Sequence, residues 1–382
     1  MPLVQIPGPT NIPSEVLEAI GRQIIDHRGP QFAALVTGIL ADLKGVFGTE
    51  RPVVVFPGSG TGAWEAALVN TLSIGDRVLI AETGHFSNLW ATMASNLGLQ
   101  VDVIPGDWRH PVDPQAIEDR LRSDRSHRVK AVLATHNETS TGVLSDIGAI
   151  RRAIDTASHP ALLLVDAVSS LGSTEYRHDE WGVDVTVTGS QKGLMLPPGL
   201  AFNAVSERAL AVAKSGGQRR SYWDWQPVLE SNRRGFFPYT PPTNLLFGLR
   251  ASLDLLAAET LEHVFARHRR HAAATREAVR TWGLELQCLD SNAYSPSLTA
   301  VLMPDGHSEV ALREEILEHS GMALGSGLGR LSDRVFRIGH LGSLDDGSLV
   351  AALTNVEAGL GLAKVPHRSG GAAAAIASLT AP

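Results

Sequence analysis

The chain has 382 residues, of which 43% are hydrophobic and 19% charged, and its net charge is −7. That length exceeds one ordinary core and fits about two domains, while the composition excludes extensive disorder. The negative balance argues against nucleic acid as a main partner, no apolar run reaches the ~18–20 residues of a membrane span, and the single cysteine, Cys288, excludes an intrachain disulfide framework or a multi-cysteine metal site.

In chain order, the opening MPLVQIPGPTNIP has neither a basic n-region nor an apolar h-region, so a secretory signal is not expected. PVVVF (52–56) is a β-branched run that stops at the glycine-rich PGSGTG, and a helix is predicted from Ala63 to Leu72. RVLIAE (77–82), VKAVLAT (129–135), ALLLVD (161–166) and VDVTVTG (183–189) are further strand-length apolar runs, separated by helical stretches such as SDIGAIRRAIDTA (145–157). Near-continuous apolar strands alternating with helices predict a largely parallel sheet covered on both faces, with ligands at the carboxyl ends of its strands. After about residue 240 the pattern changes. A mostly helical region from Leu245 to Gly283 leads to short strands (297–303 and 334–341) flanking a helix (309–321), which reads as a smaller α+β domain. His263, His268 and His271 share one densely basic helix and read as a solvated face. HRSGGAAAAIASLTAP reads as a low-complexity, loosely packed tail, and its LTAP ending is not a peroxisomal signal. The expected compartment is the cytoplasm.

Four features point to chemistry. Lys44, Lys130, Lys192, Lys214 and Lys364 are the only lysines among 33 Lys and Arg residues. A guanidinium cannot be deprotonated in a protein, so each lysine is a candidate for chemistry that needs a free amine. Lys192, in GSQKG at a strand end, is placed either for a Schiff base or as a solvated loop residue. The loop Pro57-Gly58-Ser59-Gly60-Thr61-Gly62 opens a helix and reads as a phosphate cradle or a tight turn. It is neither a Walker loop, lacking the lysine, nor a Rossmann fingerprint, since Ala63 stands at the third glycine position. Asp166 closes ALLLVD, where it either caps a turn or meets a cation. Arg337 interrupts the apolar strand around FRIGH and either binds a substrate carboxylate or makes a salt bridge.

The order strand–PGSGTG–helix, HNETSTG, LLLVDAVSS, TGSQKG–PPGL, PYTPP and FRIGHLG resembles the class V aminotransferases of the fold-type I pyridoxal-phosphate group, nearest the serine–glyoxylate and alanine–glyoxylate branch, over roughly residues 5 to 365. The resemblance implies an α/β fold with a large cofactor domain (16–255), a small C-terminal α+β domain (256–365), an N-terminal segment (1–15) that closes over the substrate, and the tail (366–382). It implies that Lys192 holds the cofactor covalently and moves the proton, and that Asp166 pairs with the ring nitrogen. Phe86 stacks on the ring, Gly60, Thr61, Gly62 and Gln191 hold the phosphate, and Thr139 lies near the phenolic oxygen. Thr240 reaches the phosphate from the other subunit of a homodimer with shared sites, Arg337 takes the substrate carboxylate, and Pro9 lies on the closing segment. No metal, nucleic acid or membrane partner is implied.

The sequence departs from the family in three places. Phe86 stands where alanine–glyoxylate relatives have tryptophan, which removes an indole donor. Phe237 stands where they have a tyrosine on the phosphate. His27 replaces a tyrosine of some serine–glyoxylate members, and with Arg28 it points to a polar or acidic donor. The implied activity is ping-pong transfer of an amino group from a small L-amino acid to glyoxylate, with pyridoxamine phosphate between half-reactions. Serine is favoured, then alanine, with aspartate as an alternative. A class V lyase or desulfurase using Cys288 and a non-enzymatic nucleotide-phosphate binder are the competing expectations.

Overall fold

The computed structural model describes residues 4–381. Seven strands form the main sheet: β1 (Val53–Gly58), β2 (Arg77–Ala81), β3 (Gln100–Ile104), β4 (Val129–Thr135), β5 (Leu162–Asp166), β6 (Val185–Gly189) and β7 (Gly199–Val205). Their order is β1-β7-β6-β5-β4-β2-β3, with β7 antiparallel to both neighbours and every other pair parallel. The sheet is covered on both faces because successive side chains alternate across each strand. Val53, Val55, Leu163 and Val165 enter one core with Phe32, Ile39 and Leu249, while Val54, Phe56, Leu162 and Leu164 enter the other with Trp64, Trp90 and Trp225. Truncating a fully buried leucine such as Leu164 to alanine costs about 2–5 kcal/mol in such a core.

Sequence periodicity alone misses two of these strands. β3 is a sheet edge, and its residues are only partly covered. β7 carries Asn203 in an otherwise apolar run, which breaks the pattern. That amide is fully buried and satisfied, donating to the Ala63 carbonyl at 3.1 Å and accepting from the Trp225 indole at 3.1 Å.

A smaller unit follows. The helix Thr243–Glu259 buries Leu246, Leu249 and Leu253 in the first core, and the chain turns at Thr260. The next helix, Leu261–Trp282, buries Ala274, Ala278 and Val279 against β8 (Leu298–Leu302) and β9 (Val335–Gly339). These two strands are antiparallel, with Ala300 opposite Arg337. Val4–Gln5 pairs in parallel with Ala323–Leu324, so the chain's first described residues are tied to this unit.

Two sequence expectations are corrected here. His268 and His271 are fully buried, not solvated. Val264, His268, His271 and Thr275 repeat at three- and four-residue spacing and form one inward stripe. His268 accepts from the Gly342 N–H at 3.1 Å, and His271 lies 2.8 Å from Asp346. The tail is also not loosely packed, because Gly371–Thr380 is a helix against Leu261–Trp282. Alanine favours the helix, and Gly371 permits the contact, since a Cβ there would fall 2.2 Å from the Trp282 indole nitrogen. Glu357 accepts the Gly370 N–H at 2.6 Å, the Ala372 N–H at 3.0 Å and the Trp282 indole at 3.0 Å, which caps the junction. No helix among the described residues is long and apolar enough to cross a membrane.

Candidate active site

The parallel strands end together. Asp166 closes β5, and Lys192 lies three residues beyond β6. The helix Gly60–Thr71 begins directly after β1, three residues earlier than predicted. Pro9, Gly60, Thr61, Phe86, Thr139, Asp166, Gln191 and Lys192 line one cavity of about 220 Å³ at these ends. Eight of the residues singled out in the sequence therefore meet in one place.

The N-terminal segment is laid directly on the lysine. The Lys192 amine donates to the Pro7 carbonyl, and Thr10 donates to the Gln191 carbonyl at 3.2 Å and to the Lys192 carbonyl at 3.3 Å. Gly8 has φ +106°, and a Cβ there would fall 2.4–2.7 Å from the lysine side chain, so the segment passes this closely only with glycine.

Burial sets the charges. It pushes the Asp166 carboxyl up to about 7, with the nearby Glu138 adding to the rise and the Val168 N–H, the Trp64 indole and Lys192 opposing it. It brings the Lys192 ammonium down to about 7, with Arg337 adding and Asp166 opposing. Two groups that are fully charged in water thus both stand near their titration point at neutral pH. An amine in that state can act as nucleophile and as base.

The helix at Gly60 offers an anion site. Ser59 makes no side-chain cap, so the first N–H groups of this helix have no intrahelical or capping acceptor. Close packing requires the glycines: a Cβ at Gly60 would fall 2.7 Å from Val168, and one at Gly62 would fall 2.6 Å from Trp223. Gly62 itself faces Trp223 and does not line the cavity. Gln191 brings a buried amide whose oxygen has no partner.

Glu138 fixes the opposite wall. Fully buried, it accepts the N–H groups of Phe86 (3.3 Å) and Ser87 (3.1 Å) at the start of the helix His85–Asn96, and the Ser140 hydroxyl at 2.7 Å. A carboxylate at a helix N-terminus is stabilised by the helix dipole. Thr139 donates to the Ser169 hydroxyl at 2.7 Å. Its carbonyl accepts from Arg337 Nη1 at 2.8 Å, while Nε of that guanidinium donates to the Ser326 carbonyl at 2.7 Å.

Lys192 and Arg337 are the only buried cations among the described residues. The acids around Arg337 are already engaged, Glu309 by Arg313 and Glu138 by the helix N-terminus. Burial brings Arg337 down to about 10 despite the pull of Glu138 and Glu309. A buried guanidinium held only by carbonyls keeps its charge unpaired and has the chemistry to take a carboxylate.

Five expected site residues do not line this cavity within one chain: Gly62, which faces Trp223, Arg337, which meets the wall through the Thr139 carbonyl, and three others. Thr240 is exposed. His27 and Arg28 line a separate cavity of about 290 Å³ with Arg234, Phe237 and Tyr239. Phe237 packs edge-on against Phe32, 6.4 Å between centroids. Conversely, Trp64 and Val168 line the Lys192 cavity and escaped the sequence reading. Trp64 lies one helical turn after Gly60, a spacing that places it on the loop's side but that is shared by any core residue.

Cys288 lies elsewhere, packed with Val143, Ala293 and Tyr294. Burial pushes its thiol up to about 11. A thiol so placed is inert at neutral pH, which removes the support for a cysteine-dependent desulfurase.

The family model described as aminotransferase class-V matches residues 5–331. A serine–glyoxylate aminotransferase of Methylorubrum extorquens is 47% identical over 361 residues, covering 93% of this chain and 90% of the relative. An L-aspartate–glyoxylate aminotransferase of Paracoccus denitrificans is 46% identical, covering 92% of this chain and 89% of the relative. Among solved structures, ureidoglycine–glyoxylate aminotransferase from Bacillus subtilis superposes with a TM-score of 0.91 at 28% identity, over 99% of this chain and 98% of that one.

Proposed function

Because this chain belongs to the class V aminotransferases, we propose that it transfers the amino group of a small L-amino acid, serine first, to glyoxylate, giving glycine and a 2-oxo acid by a ping-pong route. Its cofactor is pyridoxal 5′-phosphate. The observation that carries the reading is the grouping of Lys192 and Asp166 in one cavity, with the unpaired guanidinium of Arg337 hydrogen-bonded to the wall residue Thr139.

The residues present fit the cofactor. The uncapped helix at Gly60 and the NH2 group of the Gln191 amide suit a phosphate, Asp166 suits a protonated ring nitrogen, Phe86 and Val168 supply apolar walls, and Lys192 supplies the amine. When bound, the cofactor supplies an electron sink for the bond that breaks at the substrate Cα. Arg337 binds the α-carboxylate and so orients the Cα–H. Lys192 Nζ, near neutrality through burial, accepts the proton released from Cα and hands it on. Asp166, in the same cavity, would pair by charge with the proton on the ring nitrogen. The N-terminal segment over Lys192 excludes water from this transfer.

A donor panel with glyoxylate as acceptor tests the reading. L-Serine should give the highest kcat/KM. Arg337→Ala should lower kcat/KM for serine by roughly 10²–10³-fold, the cost of leaving a buried charge unpartnered. No glycine from any α-amino acid would overturn the proposal. Equal rates for wild type and Arg337→Ala would remove Arg337 from it.

Aspartate is the second reading for the donor. It is favoured by the basic lining that His27, Arg28 and Arg234 give the separate cavity. It requires a homodimer in which that surface and the exposed Thr240 complete the partner's site. The measured mass in solution should then be twice that of the chain, and a monomer with full activity would sink this arrangement. We place the protein in the cytoplasm, a reading supported by its lone Cys288, which is unpaired.

A further inference from the structure

Trp64 combines two properties. Its side chain lines the Lys192 cavity, and its indole N–H is buried with no hydrogen-bond partner of good geometry. A buried donor without an acceptor is costly, and a native structure retains one for a reason. The ring is held rigidly, stacked on Trp90 at 5.8 Å and 14°, with Phe86 meeting it edge-on at 6.5 Å. It cannot swing away to find another partner. The neighbouring acceptor is Asp166, whose charged form the indole favours. One Asp166 oxygen already takes the Val168 N–H at 2.8 Å, and the other receives no well-formed hydrogen bond from the described residues. The Phe86 side chain has no N–H to offer. Trp90 has an equally buried, unpartnered N–H but does not line the cavity.

We propose that Trp64 is a positioning residue for Asp166: its Nε1–H completes the hydrogen bonding of the carboxylate when that carboxylate pairs with the protonated ring nitrogen of pyridoxal phosphate. The inference rests on the reading that Asp166 faces that nitrogen. Trp64 then keeps the acid ionised in a site whose burial works against the charge, and keeps its second oxygen from turning elsewhere. The ring nitrogen stays protonated because its partner stays an anion.

Two ligands separate this role from simple packing. Pyridoxal phosphate has the ring nitrogen, and 1-deazapyridoxal phosphate has a carbon there and the same phosphate and aldehyde. Binding of each to cofactor-stripped protein is measured by absorbance. In Trp64→Phe the wild-type preference for pyridoxal phosphate over the deaza analogue should fall by about tenfold, as a charge-assisted hydrogen bond is lost. Affinity for the deaza analogue should stay within about twofold, because it makes no demand on Asp166. Trp90→Phe should leave the preference unchanged. Incorporating 3-benzothienylalanine at position 64 keeps both rings and removes only the N–H, so it answers the question if Trp64→Phe fails to fold. Equal loss for both ligands, or no loss for either, would overturn the inference while leaving the cofactor assignment standing. Failure of wild-type protein to bind either ligand would overturn both.

Discussion

Lys192→Ala should lower turnover by roughly 10⁴–10⁶-fold, the scale for removing a group that serves as both nucleophile and base. Lys192→Arg should be equally inactive, because its guanidinium keeps its proton. The absorbance of the lysine-bound cofactor should disappear from both variants. Added methylamine should restore part of the activity to Lys192→Ala, because the cavity would then hold a small amine where Nζ stood. Turnover at the wild-type rate in either variant would contradict the assignment. Stability should move the other way. The folded-state pKa of Lys192 is depressed from 10.5 to about 7, so the buried ammonium destabilises the cofactor-free fold at pH 7 and below. Lys192→Met should therefore be more stable there, by an amount on the order of a few kcal/mol. The advantage should shrink as pH rises from about 7 towards 10.5, where the unfolded chain also loses its proton. Urea unfolding of cofactor-free protein across that range checks the sign.

Asp166→Asn should have the second largest effect. The amide is nearly the same size and keeps the apolar surroundings, but it cannot hold a proton partner by charge. We expect kcat/KM to fall by about 10²–10⁴-fold, the range for loss of one preorganised electrostatic group in a buried site. Cofactor capture through Lys192 should survive, which distinguishes this variant from the lysine replacements. The pH dependence of stability is opposite to that of Lys192. The Asp166 pKa is raised from 3.8 to about 7, so the cost of the buried carboxylate appears as pH rises through that window. Cofactor-free Asp166→Asn should match wild type near pH 3.8 and exceed its stability above about pH 7. Wild-type kcat/KM in Asp166→Asn would show that the acid caps a turn and does no more.

The strand ends that meet at the Lys192 cavity were readable in the sequence because their residues break strong local patterns. Asp166 ends five apolar residues, Lys192 is one of five lysines, and PGSGTG interrupts a β-branched run. Each break marks a place where the backbone leaves the sheet, and parallel strands bring those places to one edge. Arg337 was legible for the same reason, as a charge inside an apolar strand. Its hold on the Thr139 carbonyl was not, because the two residues are 198 positions apart. Trp64 was invisible for the converse reason: an apolar residue on a buried helix breaks no pattern, and only the fold reveals that its buried N–H makes no well-formed hydrogen bond. Glu138 sits inside the recognised HNETSTG, yet its role in fixing Phe86 needed the helix at His85 to be placed above it. The buried histidines misled because the arginines beside them set the local composition, whereas the three- and four-residue spacing sets the face. Residues 27, 28 and 240 form a third kind of case. They lie at the surface of one chain, away from the Lys192 cavity, and the proposed part they play needs a second chain.

In the proposed function, Lys192, Asp166 and Arg337 together run a two-stage amino transfer. The most direct test is a single-turnover experiment on cofactor-loaded protein mixed with L-serine and no acceptor. We expect one equivalent of the 2-oxo acid per site, no ammonia, and a halt until glyoxylate is added, whereupon one equivalent of glycine appears and the original spectrum returns. Continuous release of 2-oxo acid with ammonia, or no reaction with serine and no glycine on adding glyoxylate, would contradict it.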